Sequence, residues 1–292
     1  MELSDFLTCE PIDKGWSSDK KYVATARNGE KFMLRISGAE KLEAKKLEFE
    51  MMKRVEGLGV PMCRPIETGM CAQGVYSLQG WIEGADLYDV IDGFDPEKRY
   101  AYGLEAGRML AKIHSIAAPD DVEPWEKRFN RKIDRKFRAY DECPVKFDGD
   151  EKMKRYINAS RHLLAGRPQS FQHGDYHIGN MMVDRAGTLT IIDFDRADFG
   201  DPWEEFNRIV WCAQKSPSLA RGMVDGYFCG NIPDMFWRLL ELYISSNTLS
   251  SVCWALPFGQ IEVDTMLAQA AEVFDWYDGM TRVVPRWYSE TA

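Results

Sequence analysis

Residues 171–205, FQHGDYHIGNMMVDRAGTLTIIDFDRADFGDPWEE, constrain the fold more than any other stretch of the chain. Asn180-Met181-Met182-Val183-Asp184 reads as a short strand, Arg185-Ala186-Gly187 turns the chain, and Thr188 to Phe194 returns as a second strand. A hairpin of this length places Asn180, at the start of one strand, beside Asp193, near the end of the other. Just upstream, Gly174 lets His173-Gly174-Asp175 form a sharp, exposed turn.

The paired side chains suggest a chemistry. An Asn carbonyl and a carboxylate are hard oxygen ligands, which suit Mg²⁺ carrying phosphates. Asp175 can reach the same space, where it would accept or orient the proton of an attacking hydroxyl. A lone Asp-x4-Asn or a lone strand-end Asp is ordinarily a loop cap; their conjunction on one hairpin is far more specific. No Ser or Cys sits in a nucleophile elbow. Of the four histidines, His173 and His177 alone lie close together in sequence, which gives little support to a metallohydrolase. Asp201-Pro202-Trp203-Glu204 has a structural explanation, with Asp201 as N-cap, Pro202 at the first helical position and Glu204 closing a capping box. A bond from Asp201 back to the His173 loop remains compatible with that role.

In the first third, Tyr22 to Ala26 is rich in strand formers, Asn28-Gly29 supplies a tight turn, and Lys31 to Ile36 returns. Phe32, Leu34 and Ile36 share one face of that strand; Lys31, Met33 and Arg35 share the other. Asp13 to Asp19, DKGWSSD, is a turn that can lay N–H groups and hydroxyls over a phosphate, although an ordinary hairpin turn is the plainer reading. Residues 39 to 57 predict a helix with Leu47, Met51, Met52 and Val55 as its apolar stripe. Glu48 borders that stripe and is either solvated or paired with Arg35. Val60 to Gln79 suggests two more strands, and Gly80 to Gly84 a connector.

Downstream the pattern turns helical, which places a domain boundary near residue 83. Pro96 to Ile116 predicts one long helix whose His114 is packed and hydrogen-bonded. Residues 120 to 145 predict an amphipathic helix; acidic residues alternate through its basic run, which disfavours a nucleic-acid surface. Further helices are expected over 150–165 and 203–292. Tryptophans in the last segment could line a cleft with Glu241, Glu262 or Asp264.

Composition narrows the class. At 292 residues one or two domains are expected. A formal charge of -9 argues against a nucleic-acid partner and is compatible with a cationic one. The seven cysteines are scattered without a CxxC, which points to a reducing cytoplasm rather than a disulfide framework or zinc site. No signal peptide and no run of about 20 apolar residues is present, so no membrane partner is expected.

Together HGDYHIGN, IIDFD and GDP resemble the aminoglycoside phosphotransferase and choline kinase family, a relative of the protein kinases. The resemblance spans roughly residues 12–260 and is strongest over 171–205. It implies an α+β, two-lobed protein-kinase-like fold. Residues 1–83 would form a nucleotide-binding lobe with an antiparallel sheet plus helix, and 84–292 a mainly helical catalytic and acceptor lobe. By this resemblance Asp175 is the catalytic Asp, Asn180 and Asp193 bind Mg²⁺, and His173 and Asp201 support them. Arg35 stands where kinases carry a strand lysine, with Glu48 as its helix partner. Ser17 and Ser18 lie in the nucleotide loop, and Gln79, Trp81 and Ile82 in the hinge that contacts the base. The implied reaction moves the γ-phosphoryl of ATP or GTP to a hydroxyl of an aminoglycoside-like or other cationic or polyol acceptor, in a monomer or dimer. Choline, ethanolamine, another amino alcohol or a sugar is the alternative acceptor.

The chain departs from the kinase pattern in three places. Arg replaces Lys at position 35. Asp195 takes the third place of the kinase Asp-Phe-Gly, and the nucleotide loop has one glycine. The lack of kinase DFG and APE segments argues against a protein kinase. The intact Asp175, Asn180 and Asp193 argue against a catalytically silent nucleotide binder.

Overall fold

A computed structural model describes residues 2–13 and 19–291. The contacts divide the chain into two compact units. The first comprises the chain up to Val90 together with Asn180–Ala197; the second comprises Ile91–Gly179 and the chain from Asp198 onward.

In the first unit, β1 (Thr8–Pro11), β2 (Lys20–Thr25), β3 (Lys31–Ser37), β4 (Pro65–Cys71) and β5 (Gly74–Gly80) form an antiparallel sheet in the order β1-β2-β3-β5-β4. Strand alternation divides its side chains. Leu34, Ile36, Tyr76 and Leu78 join Ala24 in a core that Leu3, Phe6 and Tyr22 flank. Arg35 pairs with Ser77 across β3 and β5, in the opposite phase from that core. Gln79 shares this phase and donates to Met52 Sδ of helix α1 (Leu42–Gly57) at 3.8 Å. A short 3₁₀ turn, Ala39–Lys41, leads into α1, so the expected helix start at 39 is real but irregular.

A second sheet in this unit joins β6 (Gly84–Asp86), just ahead of the short helix α2 (Leu87–Val90), to two strands from far along the chain. These strands, β8 (Met181–Asp184) and β9 (Leu189–Ile191), follow β7 (Ser170–Gln172). Ala85 pairs with Val183 and Met182 with Thr190. Met62 bridges Ile191, whose carbonyl accepts from Cys63 N at 3.0 Å. A single cut near residue 83 therefore does not describe the units. Pairing of β6 with β8 carries the hairpin into the first unit and moves its linear edge to Val90. Gly84 permits the approach, because a Cβ there would lie 2.2 Å from Val183 O.

The second unit pairs β7 with β10 (Asp198–Gly200) and is otherwise helical. Its helices are α3 (Pro96–Ile113), α4 (Trp125–Glu142), α5 (Asp150–Ser160), α6 (Ile209–Lys215), α7 (Pro217–Phe228), α8 (Asp234–Ala255), α9 (Gln260–Trp276) and α10 (Arg286–Ser289). Helices α3 and α7 touch backbone to backbone. A Cβ on Gly103 would meet Leu219 O at 2.2 Å, and one on Gly107 would meet Met223 O at 2.1 Å; Gly222 and Gly226 are equally confined from the other side. Trp125, Phe129 and Tyr243 centre the core of α4 and α8, with Trp125 Nε1 donating to Tyr243 OH at 3.0 Å. Phe206, Tyr227, Phe228 and Phe236 meet edge to face at 4.6–5.2 Å between ring centroids, each pair contributing about 0.5–1.5 kcal/mol beyond area burial. No described helix is long and apolar enough to cross a membrane.

Candidate active site

One group of candidate residues, around the hairpin, lies in the first unit. Ile192 N donates to Asn180 O at 3.0 Å, so the backbone places Asn180 next to the residue preceding Asp193. Asp193 has a φ of +68°, a left-handed conformation that Asp adopts more readily than most residues and that ends the strand at its carboxylate. Arg35 Nη1 donates to Asp193 Oδ1 at 2.6 Å, and Arg35 Nη2 lies 3.3 Å from Asp195 and 3.5 Å from Asp19. Lys45 is the second buried cation. It bonds Asp195, reaches Glu48 at 2.8 Å, and lies 3.6 Å from Asp19. Lys41 holds Asp19 at 3.2 Å.

These contacts revise the expected Arg35–Glu48 partnership. Glu48 takes its hydrogen bond from Lys45, one turn earlier on α1, and feels Arg35 as a charge. Burial drives the Glu48 carboxyl above the ordinary range, against Lys45 and Arg35. For Asp19 burial pulls upward, but the Ser37 hydrogen bond and the Lys45 charge bring the net pKa below the ordinary value. Burial would lower Lys45, but Glu48 and Asp195 raise it instead. This is a closed ionic network in which loss of one partner would leave others buried and uncompensated.

The expected nucleotide contacts separate. Ser17 and Ser18 lie outside the described residues. Trp81 and Ile82 line an open cleft of about 490 Å³ with Lys31, Met62, Arg64 and Glu83. Gln79 turns to Met52 and is buried, a packing role rather than a place in that cleft.

A second group, around the Asp175 loop, lies in the second unit. Gly174 has a φ of +84°, the sharp turn expected of it. Its N–H donates to Glu205 Oε1 at 2.8 Å, and Asp175 N donates to His173 Nδ1 at 3.3 Å. Tyr176 OH donates to Ala106 O at 2.7 Å, and Ile178 N to Cys212 Sγ at 3.3 Å. Glu205 is itself held: its Oε2 lies 3.5 Å from His114 Nε2, and His114 Nδ1 lies 3.0 Å from Tyr227 OH. His114 is thus packed and hydrogen-bonded as its helical spacing suggested. Asp175 Oδ1 faces Arg208 Nε at 3.2 Å and His177 Nε2 at 3.6 Å, with part of the carboxylate still exposed.

Asp201 is more than a helix cap. It accepts from Trp203 N at 3.0 Å, but it is fully buried and also takes a two-point bond from Arg167 at 2.6 and 2.8 Å and one from Tyr243 OH at 2.6 Å. Its carbonyl accepts from Gln172 Nε2 at 2.7 Å, which ties it to β7 just ahead of His173. The expected capping box is replaced, since Glu204 bonds Lys132 at 2.9 Å and begins a 3₁₀ turn, Glu204–Arg208. A literal Asp198-Phe199-Gly200 does occur, contrary to the expectation that the chain lacks one. It forms β10, with Asp198 bonded to Arg128 at 2.9 Å, and is not a metal-binding segment.

Lys45, Glu205 and Arg208 are the members that residue patterns missed. Lys45 shares a helix face with Glu48, Met52 and Val55, and a lysine inside a buried stripe is the signal that could have found it. Glu205 and Arg208 carry no local signal of this kind. Among the described residues, no three His, Cys, Asp or Glu side chains gather to cage a metal. At its two ends the hairpin carries the Asn180 amide and the Asp193 carboxylate, the latter bonded to Arg35. That short set fits a hard cation whose remaining ligands are phosphate oxygens and water.

Comparison with known proteins follows the same lines. The sequence profile of the phosphotransferase enzyme family matches residues 8–238. No curated protein sequence matches the chain. Among solved structures, a choline/ethanolamine kinase family protein from Mesorhizobium loti has a TM-score of 0.66 at 18% identity, over 94% of this chain and 91% of that one. The gentamicin complex of APH(2")-IIa has a TM-score of 0.65 at 14% identity, over 92% and 93%. The amicoumacin kinase hAmiN, in complex with AMP-PNP, Ca²⁺ and Ami, has a TM-score of 0.67 at 14% identity, over 97% and 92%. Such identities speak for a shared fold, the protein-kinase-like α+β fold. The profile match covers most of the sequence, and the chain therefore belongs to the phosphotransferase enzyme family and is a phosphotransferase with a hydroxyl group as acceptor.

Proposed function

We propose that the protein transfers the γ-phosphoryl group of ATP or GTP, as the Mg²⁺ complex, to a hydroxyl of a small polyhydroxy molecule. The observation that carries this reading is the Asn180–Ile192 backbone bond, which sets Asn180 opposite the residue before Asp193 at one end of a hairpin. Asp175 then lies five residues before Asn180 on a loop anchored by Glu205. Asn180 and Asp193 would hold Mg²⁺, which would supply charge neutralisation on the phosphate oxygens. Arg35 and Lys45 set the carboxylates of the hairpin end and offer positive charge to the nucleotide. Trp81 and Ile82 contact the base, and Ser17 and Ser18 the phosphates. Asp175 orients the acceptor hydroxyl and takes its proton as that oxygen bonds the γ-phosphorus. The bond to the bridging oxygen breaks, and the nucleoside diphosphate leaves. Positioning and charge, not covalent chemistry, supply the acceleration.

The AMP-PNP of the amicoumacin kinase complex supports a nucleoside triphosphate as donor. Gentamicin in the APH(2")-IIa complex favours an aminoglycoside-like acceptor, and the choline/ethanolamine kinase family likeness an amino alcohol. The Arg208 guanidinium, 3.2 Å from Asp175, would repel a cationic acceptor. The test is release of ADP or GDP over panels of aminoglycosides, amino alcohols, sugars and hydroxy acids with both nucleotides. Asp175→Asn is expected to lower turnover by about 10²–10⁴-fold while nucleotide affinity is kept. A variant with near-normal turnover would remove Asp175 from its role.

A further inference from the structure

The charges around Asp175 describe the acceptor. Helix α4 presents Lys132, Arg135 and Lys136 on adjacent turns, and the 3₁₀ turn after Asp201 presents Arg208. Lys132 is bonded to Glu204 at 2.9 Å, and Arg208 Nε faces Asp175 at 3.2 Å. Lys136 is in ion-pair contact with no carboxylate among the described residues, and Glu204 acts on it at longer range. Its ammonium makes one hydrogen bond, to the Ser246 carbonyl of α8 at 3.2 Å. Arg135 is exposed and forms no ion pair among the described residues. Four cations thus answer to two carboxylates, Glu204 and Asp175.

A half-buried ammonium with no carboxylate in contact is costly, and the neighbouring cations compound the cost. Burial, followed by Lys132, Arg208 and Arg135, pushes the Lys136 pKa down to about 7, with Glu204 opposing. A cationic ligand entering here would add to the repulsion. An anionic one would relieve it and would offer Arg208 a partner in exchange for Asp175.

We propose, on the basis of the phosphotransferase reading above, that the acceptor carries an anionic group, a carboxylate or a phosphate, bound by Lys136 and Arg208 beside Asp175. The hydroxyl to be phosphorylated belongs to the same molecule. Binding transfers Arg208 from Asp175 to the acceptor's anion and leaves the Asp175 carboxylate to take the hydroxyl proton. The acceptors of this chain are then hydroxy acids or phosphorylated polyols rather than aminoglycosides or choline.

Calorimetry on the full chain saturated with Mg²⁺ and AMP-PNP tests this, because the nucleotide site is then filled. Sulfate, which does not titrate near neutrality, and acetate are the anionic probes, and choline is the cationic one. Wild type is expected to bind sulfate or acetate at one site and more tightly than choline; which anion is tighter tells phosphate-like from carboxylate-like recognition. Lys136→Met should weaken the anion at least tenfold, and Lys136→Arg should restore it to within about threefold. At pH 7.5 the wild type should take up protons on binding sulfate, seen as an enthalpy that varies with buffer, whereas Lys136→Arg should not. Choline binding more tightly, no anion binding, or equal anion binding in wild type and Lys136→Met would overturn the inference. Failure of AMP-PNP to bind with Mg²⁺ would instead overturn the phosphotransferase reading on which it rests.

Discussion

Around the hairpin of the first unit, Arg35 and Lys45 are ringed by Asp19, Glu48, Asp193 and Asp195. In the second unit Lys132, Arg135, Lys136 and Arg208 gather about Glu204, and Arg208 carries the cluster to Asp175. The first region is nearly self-sufficient, since each buried cation has several carboxylate partners. In the second, the hydrogen bond of Lys136 among the described residues goes to a carbonyl, and Glu204 is shared with Lys132 and Arg208. A network closed on itself secures geometry, while an unbalanced one is shaped for something that arrives. The two regions should therefore respond in opposite ways to loss of a lysine.

The largest effect is expected from the closed network. Lys45→Met removes the hydrogen-bond partner of partly buried Glu48 and leaves Asp19 and Asp195 to Arg35 and Lys41, and loss of one partner in such a setting costs about 3–5 kcal/mol. Thermal unfolding of the variant measures it; a change below about 1 kcal/mol would mean the network is solvated and not closed. Next comes the support under Asp175. Glu205→Gln replaces the charged acceptor of Gly174 N and the partner of His114. It should lower stability by about 1.5–3 kcal/mol, as for other hydrogen bonds to charged groups. Turnover should fall with it, and unchanged turnover would detach the Asp175 loop from this chain of bonds.

An effect on stability of opposite sign belongs to Lys136→Met. The folded pKa of about 7 lies below the unfolded value of about 10.4. The unfolded chain therefore binds more protons between those values, and wild-type stability rises with pH across that window. The gain from Lys136→Met should be greatest at or below pH 7 and should vanish towards pH 10. A destabilised variant, or a gain that grows with pH, would show that Lys136 has a counter-charge in the free protein.

The same contrast separates what residue patterns carried from what they did not. The hairpin was legible because its information is local: apolar runs, the turn at Arg185-Ala186-Gly187, and polar residues at both ends. Strand β3 and helix α1 were legible for the same reason. Lys45 was not, since a buried lysine and a solvated one look alike until the opposing sheet is known. The Arg167 clamp on Asp201 spans 34 residues, and the Arg208 contact with Asp175 depends on a turn that no short pattern predicts. Pairing of β6 with β8 moved the boundary from 83 to 90 because it joins segments almost 100 residues apart. The crossing of α3 and α7 needed both glycine pairs at once, and neither helix reveals its partner alone.

The central claim is that the hairpin end of Asn180 and Asp193 holds the metal–nucleotide complex. Calorimetry of AMP-PNP with and without Mg²⁺, on wild type and Asp193→Ala, tests it most directly. The account predicts binding that depends on Mg²⁺ in the wild type and is at least tenfold weaker in Asp193→Ala. Equal affinity in the two proteins, with or without the metal, would contradict it.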